Sequence, residues 1–373
     1  MRLTIDKESF LKALNNAGHA IAPRNPIAVL SNFKLELNER GLEVTGSNSE
    51  ITVRSFVPYS KGDKQLITNG VIGSILVNAH LLTEIVRGLG GSTLNIDIID
   101  NSVAKINDGH TDMRLTNCAR AEEYLDLDLE PDGIDVELSC SDLIDIVNQT
   151  AFAASTKEQR PVMTAINLRV QDGVLKATAT DSARLARKVI NIDSSARFTA
   201  NIPAKSMMDI AKMVEGCDKT QVFVSANKAL FLFDGNVVSA RLIPGDYVVS
   251  DSTIPTLFNH RLEVNASELL DAMNRISILS ADKDNVVRLS MSEDNVEVNV
   301  NSARNGSGNE PLSTFQYQGE PLDISFNSRF VVDAIRALKA EDVVINFQGK
   351  GRFFVVKSPK DDTALELITP MRI

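Results

Sequence analysis

The sequence predicts an α+β protein made of three similar domains, each with two helices packed on antiparallel sheet. The main observation is that a pattern of short strands and amphipathic helices occurs three times, in the same order, along the 373 residues. One third of that length is about 124 residues, the size of an ordinary domain. With 43% hydrophobic and 24% charged residues, the chain has enough apolar side chains for buried cores.

Each copy opens with a short strand, a polar cap and an amphipathic helix. In these segments the apolar residues first alternate and then change to helical spacing. Asp6, Ser141 and Asn265 are the predicted helix N-caps. The three segments are LTIDKESFLKALNNAGHAI from Leu3, VELSCSDLIDIVNQTAFAAS from Val136, and LEVNASELLDAMNRISILS from Leu262.

The rest of each copy is predicted to form a hairpin, a second strand and helix, and a closing hairpin. Asp172-Gly173 is typical of a tight hairpin turn. The second strand-and-helix segments begin at Ser74, Phe198 and Leu322. Acidic segments around Pro131 and Pro255 indicate linkers, so we expect domain boundaries that give residues 1–127, 128–254 and 255–373.

The charge of the chain restricts how it could bind nucleic acid. Its net charge is 39 − 49 = −10, which excludes a surface coated in cations, so binding to phosphates must be local. Lys and Arg are frequent on the predicted helices, although such cations could simply solvate the helix faces. Three equal copies without a recurring catalytic constellation favour a role based on shape, because repeated modules form arcs that close into rings by head-to-tail contact.

Three stretches of sequence resemble one known family. They are TATDSARLA at Thr178 to Ala186, RPVMTAINL at Arg160 to Leu168, and the final TPMRI from Thr369. Over essentially its whole length the chain resembles the bacterial DNA polymerase III beta subunit, the sliding clamp. The resemblance implies clamp-type domains and a ring-shaped head-to-tail homodimer around double-stranded DNA. It also implies a processivity factor for DNA replication that is not an enzyme, with no catalytic residue, no cofactor and no metal.

The resemblance also implies where the binding sites lie. The candidate DNA contacts are Arg24, Lys157, Lys205, Lys212, Arg275 and Arg329. The expected dimer interface joins Met113 and Leu115, in the first copy of one protomer, to Ile278 and Leu279, in the third copy of its partner. A pocket for partner peptides is expected at Met163, Thr180, Ser182, Arg184, Leu185, Val248, Thr253, Leu367, Thr369, Pro370, Met371 and Arg372.

The expected peptide partners are the replicative polymerase alpha subunit, the clamp loader and other proteins that carry clamp-binding motifs. One wall of the pocket departs from the family pattern. Where relatives commonly have a Pro-Asp pair followed by Arg, this chain has RLIPGDYVVSDSTIP. We therefore expect the function to be kept and the peptide preference to differ.

Two other functions compete with this interpretation. An enzyme is disfavoured because His19, His80, His110 and His260 are scattered, and Gly349-Lys350-Gly351 lacks the strand-loop-helix setting of a phosphate cradle. A scaffold that binds only proteins and never encircles nucleic acid stays open. No apolar signal run or membrane-spanning stretch is visible, so the sequence predicts a cytoplasmic protein without a membrane partner.

Overall fold

The computed structural model describes residues 1–157, 159–248, 251–280 and 285–371. Within these ranges all six segments predicted to be helical are helices. Each helix starts directly after a strand, as the repeated pattern predicts. The helices are α1 (Lys7–Gly18), α2 (Ala79–Gly88), α3 (Cys140–Thr150), α4 (Ala204–Met213), α5 (Ala266–Ser277) and α6 (Ser328–Leu338).

The strands follow the three copies. In the first copy they are β1 (Arg2–Asp6), β2 (Asn32–Leu37), β3 (Gly41–Ser47), β4 (Ile51–Pro58), β5 (Ser60–Lys61), β6 (Lys64–Gln65), β7 (Ile67–Val71), β8 (Gly73–Asn78), β9 (Thr93–Ile99), β10 (Val103–Asn107) and β11 (Asp112–Leu115). In the second they are β12 (Ile134–Ser139), β13 (Ala165–Gln171), β14 (Val174–Thr180), β15 (Arg184–Asn191), β16 (Phe198–Pro203), β17 (Lys219–Val224), β18 (Lys228–Phe233) and β19 (Asn236–Arg241). In the third they are β20 (His260–Asn265), β21 (Val286–Met291), β22 (Val296–Ser302), β23 (Gly306–Pro311), β24 (Phe315–Gln318), β25 (Leu322–Asn327), β26 (Asp342–Phe347), β27 (Phe354–Lys357) and β28 (Ala364–Ile368).

The chain folds into two compact units, and the second copy contributes to both. Unit 1 comprises Met1–Cys140 and Asp209–Leu242, and unit 2 comprises Ser141–Met208 and Ile243–Ile373. Unit 1 holds a five-stranded sheet, β11-β10-β9-β1-β7, and an eight-stranded sheet, β12-β17-β18-β19-β4-β3-β2-β8. Unit 2 holds a nine-stranded sheet, β16-β13-β14-β15-β28-β27-β26-β20-β24, and a four-stranded sheet, β23-β22-β21-β25. The two predicted boundaries between the three domains stay a prediction.

Two antiparallel joints link strands of different copies. In unit 1, β4 of the first copy pairs with β19 of the second, and we call this pairing the first joint. In unit 2, β15 of the second copy pairs with β28 of the third, and we call this the second joint. In both joints, the fourth strand of one copy pairs with the last strand of the next copy. They are therefore equivalent positions of the repeat.

The local signals in the sequence explain how the elements begin and turn. The side chains of Asp6 and Asn265 accept hydrogen bonds from the backbone N–H groups of the next helix, as predicted for N-caps. The prediction for Ser141 is wrong, because α3 already begins at Cys140. Asp172 and Gly173 both have positive φ, 54° and 77°, and connect β13 to β14 in the predicted tight turn.

Each unit buries the apolar faces of its helices against its sheets. Phe10 and Leu14 of α1 are fully buried in unit 1, and Val331 of α6 is fully buried in unit 2. None of the helices in the described ranges has the length and apolar character needed to cross a membrane. Nor do the described residues include a group of three or more His, Cys, Asp or Glu side chains that could hold a metal ion.

Candidate functional site

The second joint brings part of the predicted peptide pocket together. Leu185 of β15 lies opposite Leu367 of β28, and Leu367 lies opposite Val355 of β27. These three buried residues form an apolar cluster, against which Ile254 and Phe258 pack. The sheet register therefore creates one apolar floor from Leu185 and Leu367, which are 182 positions apart in sequence.

The turn between β14 and β15 forms one rim of this floor. The hydroxyl of Thr180 donates a hydrogen bond of 2.6 Å to the carbonyl of Arg184 and accepts one of 3.1 Å from the N–H of Ser182. Ser182 has a φ of 77°, and the Asp181 carboxylate stabilises the turn by accepting hydrogen bonds from the N–H groups of Ala183 and Arg184. The N–H of Thr369 donates to the carbonyl of Ala183 at 2.9 Å, which attaches the end of β28 to the same turn.

The guanidinium of Arg184 is bound by residues of unit 2, and its part in peptide binding stays a prediction. Its guanidinium donates to Asp181 at 3.1 Å, to Asp333 of α6 at 2.7 Å and to the carbonyl of Phe152 at 2.6 Å. It also stacks on the rings of Phe330, at 4.7 Å, and Phe152. Only 15% of the side chain is exposed, so Arg184 ties three elements together below the pocket.

Glu366 is buried in the same strand pair. It lies opposite Ala186 in β15, is 2% exposed, and its Oε1 atom has no hydrogen-bond partner. Burial raises the pKa of the Glu366 carboxyl well above 4.5, and the positive charge of Arg184 opposes this shift only in part. Burial therefore favours the neutral, protonated form of this carboxyl. Sequence patterning gave no sign of a buried acid here, since an acidic residue in a strand is expected on the exposed face.

The other predicted pocket residues are more dispersed. Met163 is 6% exposed and its carbonyl accepts the N–H of Ser155. Val248 is 56% exposed and Thr253 is exposed as well, so both present their side chains to solvent. The N–H of Met371 donates to the carbonyl of Ser325 at 2.7 Å, and Pro370 lies between this contact and Thr369. Arg372 lies outside the described residues.

The six predicted DNA contacts are all exposed, and two of them already have an acidic partner. Lys205, Lys212, Arg275 and Arg329 lie on helices, and Arg24 and Lys157 lie in loops. Lys212 pairs with Asp209 at 3.3 Å, one turn away on α4. The guanidinium of Arg275 forms a bidentate salt bridge with the carboxylate of Glu310 in β23. Its charge is therefore largely neutralised within the chain, which weakens the case for it as a phosphate ligand.

The predicted dimer residues lie beside two open sheet edges. Met113, which is 40% exposed, and Leu115 belong to β11, the edge strand of the five-stranded sheet. Ile278, which is 78% exposed, directly follows α5 as its C-cap, and Leu279 packs next to Gly308 of β23. A Cβ atom at Gly308 would lie 3.1 Å from the Cδ1 atom of Leu279, so a larger residue there would require the Leu279 side chain to shift. β23 is the edge strand of the four-stranded sheet.

Comparison with known proteins gives one consistent family. Three family models match in order: the N-terminal domain of the DNA polymerase III beta subunit at residues 1–128, the central domain at 137–248 and the C-terminal domain at 251–372. The chain is 31% identical to the beta sliding clamp of Bacillus subtilis (strain 168) over 377 residues, with 100% of both chains covered. It is 33% identical to that of Halalkalibacterium halodurans over 380 residues, again with 100% of both covered.

Solved structures agree with this result. The crystal structure of the DNA polymerase sliding clamp from Bacillus subtilis matches with a TM-score of 0.95 and 30% identity, covering 100% of this chain and 99% of that one. The DNA polymerase III beta chain of Streptococcus pneumoniae matches with a TM-score of 0.95 and 31% identity, covering 100% of both.

Proposed function

As a member of the DNA polymerase III beta subunit family, this chain is a DNA sliding clamp, and we propose that two copies close head to tail into a ring around duplex DNA. The observation that carries this proposal is the match of all three family models, in order, across almost the whole chain. The family is a non-catalytic processivity scaffold, so the protein is not an enzyme. It works with DNA and the replicative polymerase.

The two open sheet edges support closure of the ring. The last strands of the three copies are β11, β19 and β28. The fourth strands of the three copies are β4, β15 and β23. Two such pairs, β19 with β4 and β28 with β15, are formed within the chain. The remaining pair is β11 with β23, and each is an edge strand. Joining β11 to β23 of the partner would unite five and four strands into nine, the size of the largest sheet within the chain.

Exposed cations on the helices would hold DNA by charge alone. Duplex DNA carries one phosphate charge per ~1.7 Å of axis, and contacts to phosphate do not depend on sequence. Lys205, Arg329, Arg24 and Lys157 make no ion pair within the described ranges, so they are the better candidates among the six. A ring held by such contacts has no preferred register on the duplex, so sliding is easy.

The apolar floor at the second joint supports a docking pocket for partner peptides. Burial of an apolar anchor on Leu185 and Leu367 would supply affinity, and polar groups of the turn between β14 and β15 would orient the peptide. We propose that the alpha subunit of the replicative polymerase, the clamp loader and other motif-carrying proteins use this pocket, and that the protein acts in the cytoplasm.

Retention on circular DNA tests the ring. After loading by a clamp loader, the protein should stay on nicked circular DNA and be lost when the circle is cut once. Equal loss from both forms would favour the alternative, a scaffold that binds only proteins.

The proposed contact between β11 of one protomer and β23 of its partner can be tested by measuring the mass of the protein in solution. Sedimentation of the unmodified protein should give about twice the 40.7 kDa chain mass. Met113→Asp in β11 should reduce the mass to that of one chain, because it places a charge in the proposed apolar interface. Ile99→Asp is the matched control, since Ile99 is 41% exposed in the same sheet but lies outside β11. A dimer that survives Met113→Asp would contradict the proposed joint.

A further inference from the structure

A cationic cavity lies beside the predicted peptide pocket in unit 2. It has a volume of about 750 Å³ and is lined by Arg288, Lys350, Arg352, Asp323, Ser325 and Met371, among others. Three of these side chains are positive and one is negative. None of the three cations forms an ion pair with any residue in the described part of the chain, and all three are exposed.

The fold explains why these cations meet. Arg288 of β21 lies opposite Ser325 of β25, and its neighbours Val287 and Leu289 are buried in the core. Because side chains alternate along a strand, Arg288 points away from the helices that cover the other face. Lys350 and Arg352 come from the turn between β26 and β27, where Gly351 has a φ of 73°. The turn therefore places its cations near Arg288.

The end of the chain connects the predicted pocket to the cavity wall. Thr369 is bonded to the turn that forms the pocket rim, and Met371 is bonded to Ser325 in the cavity wall. From Leu367 on the pocket floor to Met371 is four residues, or about 13 Å of extended backbone. A peptide docked on the floor would reach the cavity with about the same number of further residues.

We infer that this cavity is a subsite for acidic side chains that flank the apolar anchors of a docked partner peptide. The inference rests on the proposed peptide pocket. A peptide suits the cavity better than duplex DNA does, because Arg288 lies on the sheet face opposite α5 and α6, whereas the proposed DNA contacts of this copy are on those helices. Unpaired cations at the rim of an apolar site favour acidic partners and increase the rate of association.

Fluorescence polarisation with labelled peptides tests the subsite on the full-length protein. A neutral probe would carry Gln, Leu and Phe anchors, and two acidic probes would add an Asp pair on either side of the anchors. One acidic probe should bind roughly fivefold tighter than the neutral probe at low salt, and the gain should fall as salt is raised. The triple variant R288Q/K350Q/R352Q should lose the gain and bind the neutral probe normally.

The matched control is R304Q/R336Q/K360Q, which removes three exposed cations outside the cavity. It should keep the gain. No gain in the unmodified protein, or an equal gain in both triple variants, would overturn the subsite while leaving the pocket in place. R288Q/K350Q/R352Q could instead lose affinity for linear duplex DNA and still bind the acidic probe more tightly than the neutral one. That result would assign these cations to DNA and would also overturn the subsite. If no probe binds at all, the proposed pocket fails and the subsite with it.

Discussion

The first and second joints occupy the same place in the repeat but are held together by different chemistry. Each follows a turn in which a serine has positive φ, Ser49 with 75° and Ser182 with 77°. Two residues later the first joint has Ile51, which is 4% exposed, where the second has Arg184.

On the opposite strand the contrast is the same. Val238 of the first joint pairs with Val53, whereas Glu366 of the second pairs with Ala186. Both Val238 and Glu366 are buried. The first joint thus combines apolar contacts with a buried hydrogen bond between two neutral side chains, Ser55 and Asn236, while the second contains an arginine and a buried acid that depend on surrounding partners. The joint that carries the proposed pocket is the one whose strands include the ion-paired Arg184.

The largest effect is expected from Arg184→Met, which makes the second joint resemble the first. It should lower the free energy of unfolding by about 4 kcal/mol, because Asp181, Asp333 and the carbonyl of Phe152 lose their shared donor. Urea unfolding followed by circular dichroism would measure it. Ile51→Met is the matched control and should cost less than about 1.5 kcal/mol. Equal losses at the two positions would show that the polar network has no special weight.

Glu366→Val should change the free energy of unfolding in the opposite direction. It places valine in the second joint, as the first joint has with Val238 at the equivalent position. Removing a buried carboxyl whose Oε1 has no partner should raise the free energy of unfolding by about 2 kcal/mol at neutral pH. The raised pKa of Glu366 means that the folded state binds its proton more tightly than the unfolded chain does. The protonated Glu366 carboxyl therefore makes its full contribution to the free energy of unfolding below pH 4.5. This contribution is lost as pH rises through the folded-state pKa.

The variant should therefore gain most over the unmodified protein at high pH and least below pH 4.5. Urea titrations at several pH values would measure the difference. Glu341→Val, at an exposed site in unit 2, is the control and should show no such trend. A difference that does not change with pH would contradict a raised pKa for Glu366.

A smaller effect is expected from Ser55→Ala in the first joint. The buried hydroxyl of Ser55 donates to Asn236 Oδ1 at 2.6 Å, so its removal should cost about 1 kcal/mol. Both groups are neutral, so the loss should be the same at low and high salt, in contrast to the second joint. Ser60→Ala, at an exposed position nearby, should have no effect. A loss that shrinks as salt is raised would contradict this description of the first joint.

The smallest effect is expected from Asp209→Asn in unit 1. Burial raises the pKa of Asp209, but hydrogen bonds and charges from His19 and Lys212 outweigh this and hold it below 3.8. The contribution of its carboxylate is present above pH 3.8 and is lost as pH falls through the folded-state pKa. The variant should thus be about 0.5 kcal/mol less stable at pH 6 and no less stable at very low pH, measured by thermal unfolding. The exposed Asp63→Asn is the control; a pH-independent loss in Asp209→Asn would rule out the charge as its cause.

The repeat, the helices and the hairpins were predictable because their signals are local. Asp172-Gly173 is sufficient to predict a turn, and the spacing of Leu269, Leu270 and Met273 is sufficient to predict a helix. The sharing of the second copy between two units was not predicted, because strand pairing between copies leaves no local trace. The same holds for Arg184: the motif around it was recognised, but its direction depends on Phe330 and Asp333, which come from a distant helix.

The first joint also affects how the protein is made. β4 ends at Pro58, but β19, which covers its edge, begins only at Asn236. At about 5–20 residues per second, a ribosome needs roughly 10 to 35 seconds to synthesise the chain between them. During that interval the apolar edge of β4 has no strand beside it, and such an edge readily pairs with other nascent chains. Chaperone protection during translation is therefore most valuable in this interval, and products truncated before residue 236 should aggregate.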